Sequence, residues 1–197
     1  MMATNKKRQY FGTDGVRGHV GEHPLTPEFV LKLGYAAGQV LSRAAQHPVF
    51  VIGRDTRQSG AMLQSALTGG LLASGAAVVD LGVITTPGVA FAVQQMKAAA
   101  GVVISASHNP VNENGIKFFN AQALKLDEAL ELEIETLLEQ PMDLKASQAA
   151  QFGRCIDGTA LREQYVRSLV DEHPDLSLEG AEAHILWALK NDLLEQA

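Results

Sequence analysis

Three short runs of aliphatic and β-branched residues, "PVFVIG", "AAVVDLG" and "AGVVISA", recur between residues 48 and 106, with helical patterns in the gaps. None of them alternates apolar with polar positions. Continuous runs of this kind predict strands buried on both faces, as in a parallel sheet with helices on each side. The expected fold class is therefore α/β, with a mixed, mainly parallel sheet sandwiched between helices.

The intervening segments support that expectation. In "LTPEFVLKLGYAAGQVLSRAA", Thr26 stands as an N-cap, Pro27 at the first helical position and Glu28 in the first turn. Phe29, Leu33, Ala36, Ala37, Val40 and Leu41 recur at helical spacing and form one apolar face. Further helices are expected in "GAMLQSALTGGLLASG", "TPGVAFAVQQMKA", "LDEALELEIETLLEQ" and "TALREQYVRSLVDEH". A domain is expected over residues 1–150. Residues 151–197 then read as a linker, a helix and the start of a second domain, closing on a helical tail, "AEAHILWALKNDLLEQA".

Charge narrows the partners. Sixteen Lys and Arg stand against 22 Asp and Glu, a formal charge of -6, which gives no global attraction to nucleic acid or anionic lipid. Cys155 is the only cysteine, so no internal disulfide and no cysteine-based zinc site is expected, and a reducing cytoplasm fits. The basic start "MMATNKKRQYFGTDG" lacks a following apolar region, and no run approaches the roughly 20 residues that span a bilayer.

The chemistry concentrates in "GVVISASHNPVNENGIKFFN". A strand ends at "VVIS" and breaks at "ASHNP", which puts Ser107 at the carboxyl end of a parallel strand, where open α/β sheets bind ligands. Ser107 reads as a nucleophile, a phosphate carrier or a turn serine. The G-x-S-x-G elbow of serine hydrolases is absent. His108 adjoins Ser107, but neighbouring side chains of an extended chain point apart, so no serine–histidine pair is implied. A backbone-bonding histidine and an electrostatic role beside an anion both remain open. Asn109 and Pro110 are expected to fix a turn. Lys117, between an expected Asn114/Gly115 turn and Phe118–Phe119, reads as a directed ammonium, a phosphate partner or proton carrier.

Two other stretches carry cations. "FGTDGVRG" surrounds Arg17 with glycines that let backbone amides approach an anion, whereas Arg54, Asp55 and Arg57 in "GRDTRQSG" read as a structural ion pair. No G-x-x-x-x-G-K-[ST] loop, dinucleotide fingerprint or paired zinc-spaced histidines occur.

Taken together and in order, "YFGTDGVRG", "GRDTRQSG" and "SASHNPVNENGIKFFN" resemble the amino-terminal domain of the bacterial phosphoglucosamine mutases, in the α-D-phosphohexomutase family. The resemblance runs from Gln9 to about Gly180 and covers the amino-terminal portion only; "FGTDGVRG" and "SASHNP" favour glucosamine. It implies that Ser107 is a phosphoserine that passes a phosphoryl group to a hexosamine phosphate through a bisphosphorylated sugar. Glucosamine 6-phosphate and glucosamine 1-phosphate would thereby interconvert, on the route to UDP-N-acetylglucosamine. It places Arg17, His108 and Lys117 near that phosphate, with Lys117 moving the proton and Arg17, Asn109 and Lys117 binding phosphate or substrate.

It also implies one Mg²⁺, held by the Ser107 phosphate and by three aspartates of a "DGDGDR" loop that this sequence does not contain. After "LSLEG" the sequence leaves the family pattern, and neither the sugar-specificity loop nor "RxSGTEP" follows. The chain is accordingly expected to be a truncated or frame-shifted product, or an incomplete gene model, and inactive by itself. Phosphomannomutase or phosphoglucomutase is the alternative within the family. A non-catalytic interaction module, self-associating or pairing through the terminal helix, is the alternative outside it.

Overall fold

Every second residue of the central strands faces a different apolar layer, and that parity organises the molecule. The structure is a computed structural model describing residues 8–142 and 152–172 of the 197. Strands β1 (Val16–His19), β2 (Val49–Arg54), β3 (Ala77–Val83), β4 (Ala100–Ile104), β5 (Glu113–Phe119) and β6 (Cys155–Asp157) form one sheet in the order β1-β5-β4-β2-β3-β6. β4, β2, β3 and β6 run parallel, and β5 is antiparallel to both of its neighbours.

Phe50, Ile52, Val78, Val102, Ile104, Ile116 and Phe118 face one layer, under helices α1 (Pro27–Leu41), α2 (Ser59–Ala73) and α4 (Glu128–Leu138). Val51, Val79, Leu81, Val103 and Phe119 face the other, under α3 (Thr86–Met96). The sandwiched, mainly parallel sheet expected from the Val/Ile runs is thus present. Leu33, Leu63, Leu67 and Leu71 are fully buried between α1, α2 and the sheet, each contributing about 1.5–3 kcal/mol.

Local chemistry sets the helix ends. The Thr26 hydroxyl accepts from the Phe29 amide at 3.3 Å, and Pro27 opens α1 as predicted. Gly34 and Gly70 let α1 and α2 meet backbone to backbone: a Cβ on Gly34 would strike the Leu67 carbonyl, and one on Gly70 the Leu31 carbonyl.

Three features depart from the sequence reading. "VRGH" is a strand, β1, on the open edge of the sheet beside β5. Asn114 and Gly115 are not a turn but buried residues inside β5. They enter the sheet because the Asn114 amide donates to Ser59 Oγ at 2.9 Å and Gly115 pairs with Arg17. Finally, the segment read as unpatterned linker contains β6, which pairs with β3 through Val78–Cys155 to Asp80–Asp157.

The last helix, α5 (Thr159–Asp171), opens where the Asp157 carboxylate accepts from the Thr159 amide and hydroxyl at 3.0 and 2.7 Å. Those bonds hold Asp157 below the ordinary carboxylate range. The chain divides into two units, Met1–Tyr165 and Val166–Ala197; of the second, residues 166–172 are described, and 166–171 belong to α5. The expected tail helix at 181–197 lies outside the described residues. No helix among the described residues is long and apolar enough to cross a membrane.

Candidate active site

β4 is buried along its whole length, and the chain leaves it at Ile104 for a polar loop, residues 105–112. Two hydrogen bonds anchor the exit: the Ser105 amide donates to the Gly115 carbonyl at 2.9 Å, and the Asp55 amide to the Ile104 carbonyl at 3.1 Å. These tie the ends of β2, β4 and β5 together.

Ser107 then adopts a φ of 59°, in the left-handed region where a β-carbon costs roughly 1–2 kcal/mol. The conformation is held from both sides of the residue. Its amide donates to Ser105 Oγ at 3.0 Å, and its carbonyl accepts from Arg57 Nη2 at 3.0 Å. The side chain projects into solvent.

The same turn undoes the alternation expected of an extended chain and brings His108 Nδ1 to 3.4 Å from Ser107 Oγ. That is long for an O–H···N bond, so the two are neighbours without being a strong base–nucleophile pair.

Asn109 works inside the loop. Its side-chain amide donates to Glu113 Oε2 at 2.7 Å, and its backbone amide to the Ala106 carbonyl at 3.1 Å. The Asn109 side chain therefore fixes the turn, as the sequence reading expected of it.

Arg17 and Lys117 converge on one carboxylate. Arg17 pairs with Gly115 in the β1–β5 register, and both cations alternate with Val16, Ile116 and Phe118, so they stand on the α3 face of the sheet. Arg17 Nη2 lies 3.4 Å from Asp14 Oδ2, and Lys117 Nζ 3.5 Å from Asp14 Oδ1 and 5.6 Å above the Phe119 ring. The Asp14, Arg17 and Lys117 side chains are 50%, 31% and 32% exposed, so each pair contributes under about 1 kcal/mol. One carboxylate shared by two cations leaves a net positive charge, and Arg17 Nε is buried without a protein partner. An open depression of about 290 Å³, lined by Tyr10, Gly12, Thr13, Asp14, Gly15 and Arg17, adjoins them.

Glycines make this approach feasible. Gly15 has a φ of 85°, and a Cβ there would strike the Ile116 carbonyl and come within 3.0 Å of Lys117 Cα. At Gly115 a Cβ would meet the Ser105 carbonyl at 2.8 Å and Arg17 Cγ at 2.9 Å. Ser105, just past the end of β4, thus lies in one row with Gly115 of β5 and Arg17 of β1. Ser107 lies two residues beyond it.

Arg57 is the residue whose part sequence reasoning understated. Its expected ion pair with Asp55 is present, Nε to Oδ2 at 3.1 Å, but the guanidinium also donates to three loop carbonyls and to that of Glu113 at the start of β5. Asp14, Ser105 and Glu113 were likewise not singled out. Arg17 is near Asp14 in sequence, but the Asp14–Lys117 pair spans 103 residues, and only the fold could reveal it.

A cation would find little here. Among the described residues no three His, Cys, Asp or Glu side chains gather to hold a metal ion. Asp14 faces Arg17 and Lys117, Asp55 faces Arg57, and Glu113 accepts from Asn109. This donor set does not by itself fit the octahedral oxygen shell of Mg²⁺.

Comparison with known proteins follows the same residues. The family model "Phosphoglucomutase/phosphomannomutase, alpha/beta/alpha domain I" matches residues 8–145. The chain is 52% identical over 176 residues to a phosphoglucosamine mutase of Pseudoalteromonas translucida, covering 89% of this chain and 38% of that protein. It is 53% identical over 176 residues to the phosphoglucosamine mutase of Chromobacterium violaceum, covering 88% and 39%. Among solved structures, a putative phosphomannomutase from Thermus thermophilus superposes with a TM-score of 0.68 at 32% identity, over 88% of this chain and 37% of that one. The chain thus spans less than two-fifths of the length of these relatives.

Proposed function

The chain belongs to the phosphoglucomutase/phosphomannomutase family through its domain I, and on that premise we propose that it is the phosphoserine-bearing unit of a phosphoglucosamine mutase. The observation that carries the reading is Ser107: an exposed hydroxyl on a left-handed turn at the carboxyl end of β4, held by Ser105 and Arg57. Nothing commits Ser107 Oγ to a strong bond, and a phosphate there would add about -1.5 to -2 charge beside a cationic edge. Phosphoryl transfer asks for positioning and charge stabilisation more than for a hydrolase triad.

In the proposed reaction the bond from Ser107 Oγ to phosphorus breaks as a sugar hydroxyl of the hexosamine phosphate bonds to the same phosphorus. The hydroxyl proton leaves with Lys117 as carrier and returns to Ser107 Oγ. The bisphosphorylated sugar then gives its other phosphoryl group back to Ser107. Arg17 holds phosphate oxygens with the guanidinium edge that Asp14 leaves free, and His108 contributes electrostatically beside Ser107 Oγ. Asn109 acts by fixing the loop. The family resemblance implies magnesium, but the described side chains do not fit it, and no step is routed through it. A cytoplasmic location accords with the single cysteine and the sugar-phosphate substrate.

Glucosamine is chosen over mannose or glucose because relatives near 50% identity are named phosphoglucosamine mutases. The Thermus neighbour favours phosphomannomutase as second reading, at 32% identity. A chimera in which residues 1–165 replace the matching unit of the Chromobacterium enzyme tests the carrier role. It should interconvert the two glucosamine phosphates, and Ser107→Ala should cut turnover by about 1,000-fold or more. Undiminished turnover in Ser107→Ala would remove the proposal.

A further inference from the structure

The Ser107 loop is held from behind by one buried side chain, and we propose that this residue, Arg57, is the positioning residue of the phosphoryl carrier. The inference rests on the reading of Ser107 given above. Arg57 sits between β2 and α2, and only 9% of its side chain is exposed. Its guanidinium carries five N–H donors, and the structure gives every one a partner: Nε to Asp55, Nη1 to the Pro110 and Glu113 carbonyls at 2.7 and 3.1 Å, and Nη2 to the Ser107 and Asn109 carbonyls at 3.0 and 2.7 Å. Asp55 Oδ1 in turn accepts from the Arg57 amide at 3.0 Å, so the fork is itself fixed.

Direction is what this clamp supplies. In a planar trans peptide the N–H points opposite to the preceding C=O. Drawing the Ser107 and Pro110 carbonyls back onto Arg57 therefore turns the His108 and Val111 amides outward, away from the cation. Among the described residues the His108 amide has no protein acceptor, and it follows directly after the residue that would bear the phosphate. Arg57 thus acts through the backbone: it holds Ser107 in its left-handed conformation and presents an amide to the phosphate. Lysine cannot replace it, because three donors on a point charge cannot span four carbonyls and a carboxylate.

The full 197-residue chain with phosphoserine encoded at position 107 tests this without requiring turnover. The phosphorus resonance should titrate below the ordinary second pKa of about 6, and the His108 amide proton should shift with the same midpoint. In Arg57→Lys the midpoint should rise by about 0.5 or more and the His108 response should vanish, while Arg43→Lys, on the surface beside Glu133, should change neither. In the chimera Arg57→Lys should lower kcat by about 10- to 100-fold with a smaller effect on KM.

A His108 amide indifferent to phosphate ionisation in the unsubstituted chain would overturn the inference, even if Arg57→Lys fails to fold. So would a folded Arg57→Lys chain with an unchanged midpoint. Failure of the mutase reading is distinguishable, since it appears as turnover insensitive to Ser107→Ala.

Discussion

Ser107 and Gly15 occupy the same left-handed region of backbone space for opposite reasons. At Ser107, φ 59°, the conformation costs energy and aims a hydroxyl outward; at Gly15, φ 85°, a missing side chain lets the turn lie on the backbone of β5. Gly15→Ala should therefore act twice. The added methyl meets the Ile116 carbonyl and Lys117 Cα, so we expect a loss of about 1–3 kcal/mol in denaturant unfolding. In the chimera we also expect lower turnover, because Lys117 is pushed from Asp14. The sequence singled out these glycines as a place for anions to approach the backbone. What they admit first is the neighbouring strand, a close approach that no local spacing encodes. Arg57 teaches the same lesson: its ion pair two residues away was legible, but its carbonyl partners at Ser107 and Asn109 lie 50 and 52 residues on.

Among the elements, the strongly patterned ones could be read directly. β2, β3 and β4 are Val/Ile runs because both their faces are buried, and α1 carries its own cap and proline. β1, β6 and the start of β5 could not be read this way. β1 and β6 are edge strands of four and three residues with polar positions, and β5 begins with Glu-Asn-Gly, a turn-like sequence that tertiary partners override.

A second device works between the amino-terminal segment and α4. Buried Glu135 accepts from the Gln9, Tyr10 and Phe11 amides at 2.8, 2.6 and 2.8 Å, and Arg8 pairs with Glu131 and Glu128. Glutamates on an acidic helix thus fasten the segment that leads through the Gly12–Gly15 turn into β1. Glu135→Ala strips three amides of their acceptor and should cost about 2–4 kcal/mol by thermal or denaturant melting. A change under about 0.5 kcal/mol would show that water replaces the carboxylate.

At the scale of the molecule, one end of the sheet gathers three sequence stretches that are far apart in the chain. Arg57 and Ser107 follow the carboxyl ends of β2 and β4, and the strands beyond, β5 and β1, carry Lys117 and Arg17, in a protein whose net charge is -6. The motifs and their order were legible, and so was the placement of Ser107 just past the carboxyl end of a parallel strand. The depth of the division of labour was not: Arg57 behind the loop, Asp14 between two cations, Glu113 under Asn109. The chain spans less than two-fifths of these relatives' length, and the role proposed for it is that of a phosphoryl-carrier unit.

The most direct test of that carrier role is rapid-quench peptide mass spectrometry on the chimera during turnover with glucosamine 1,6-bisphosphate. The account predicts phosphate on Ser107 alone, discharged when glucosamine 6-phosphate is added. Phosphate on another residue, or a Ser107 phosphate that added sugar phosphate leaves in place, would contradict it.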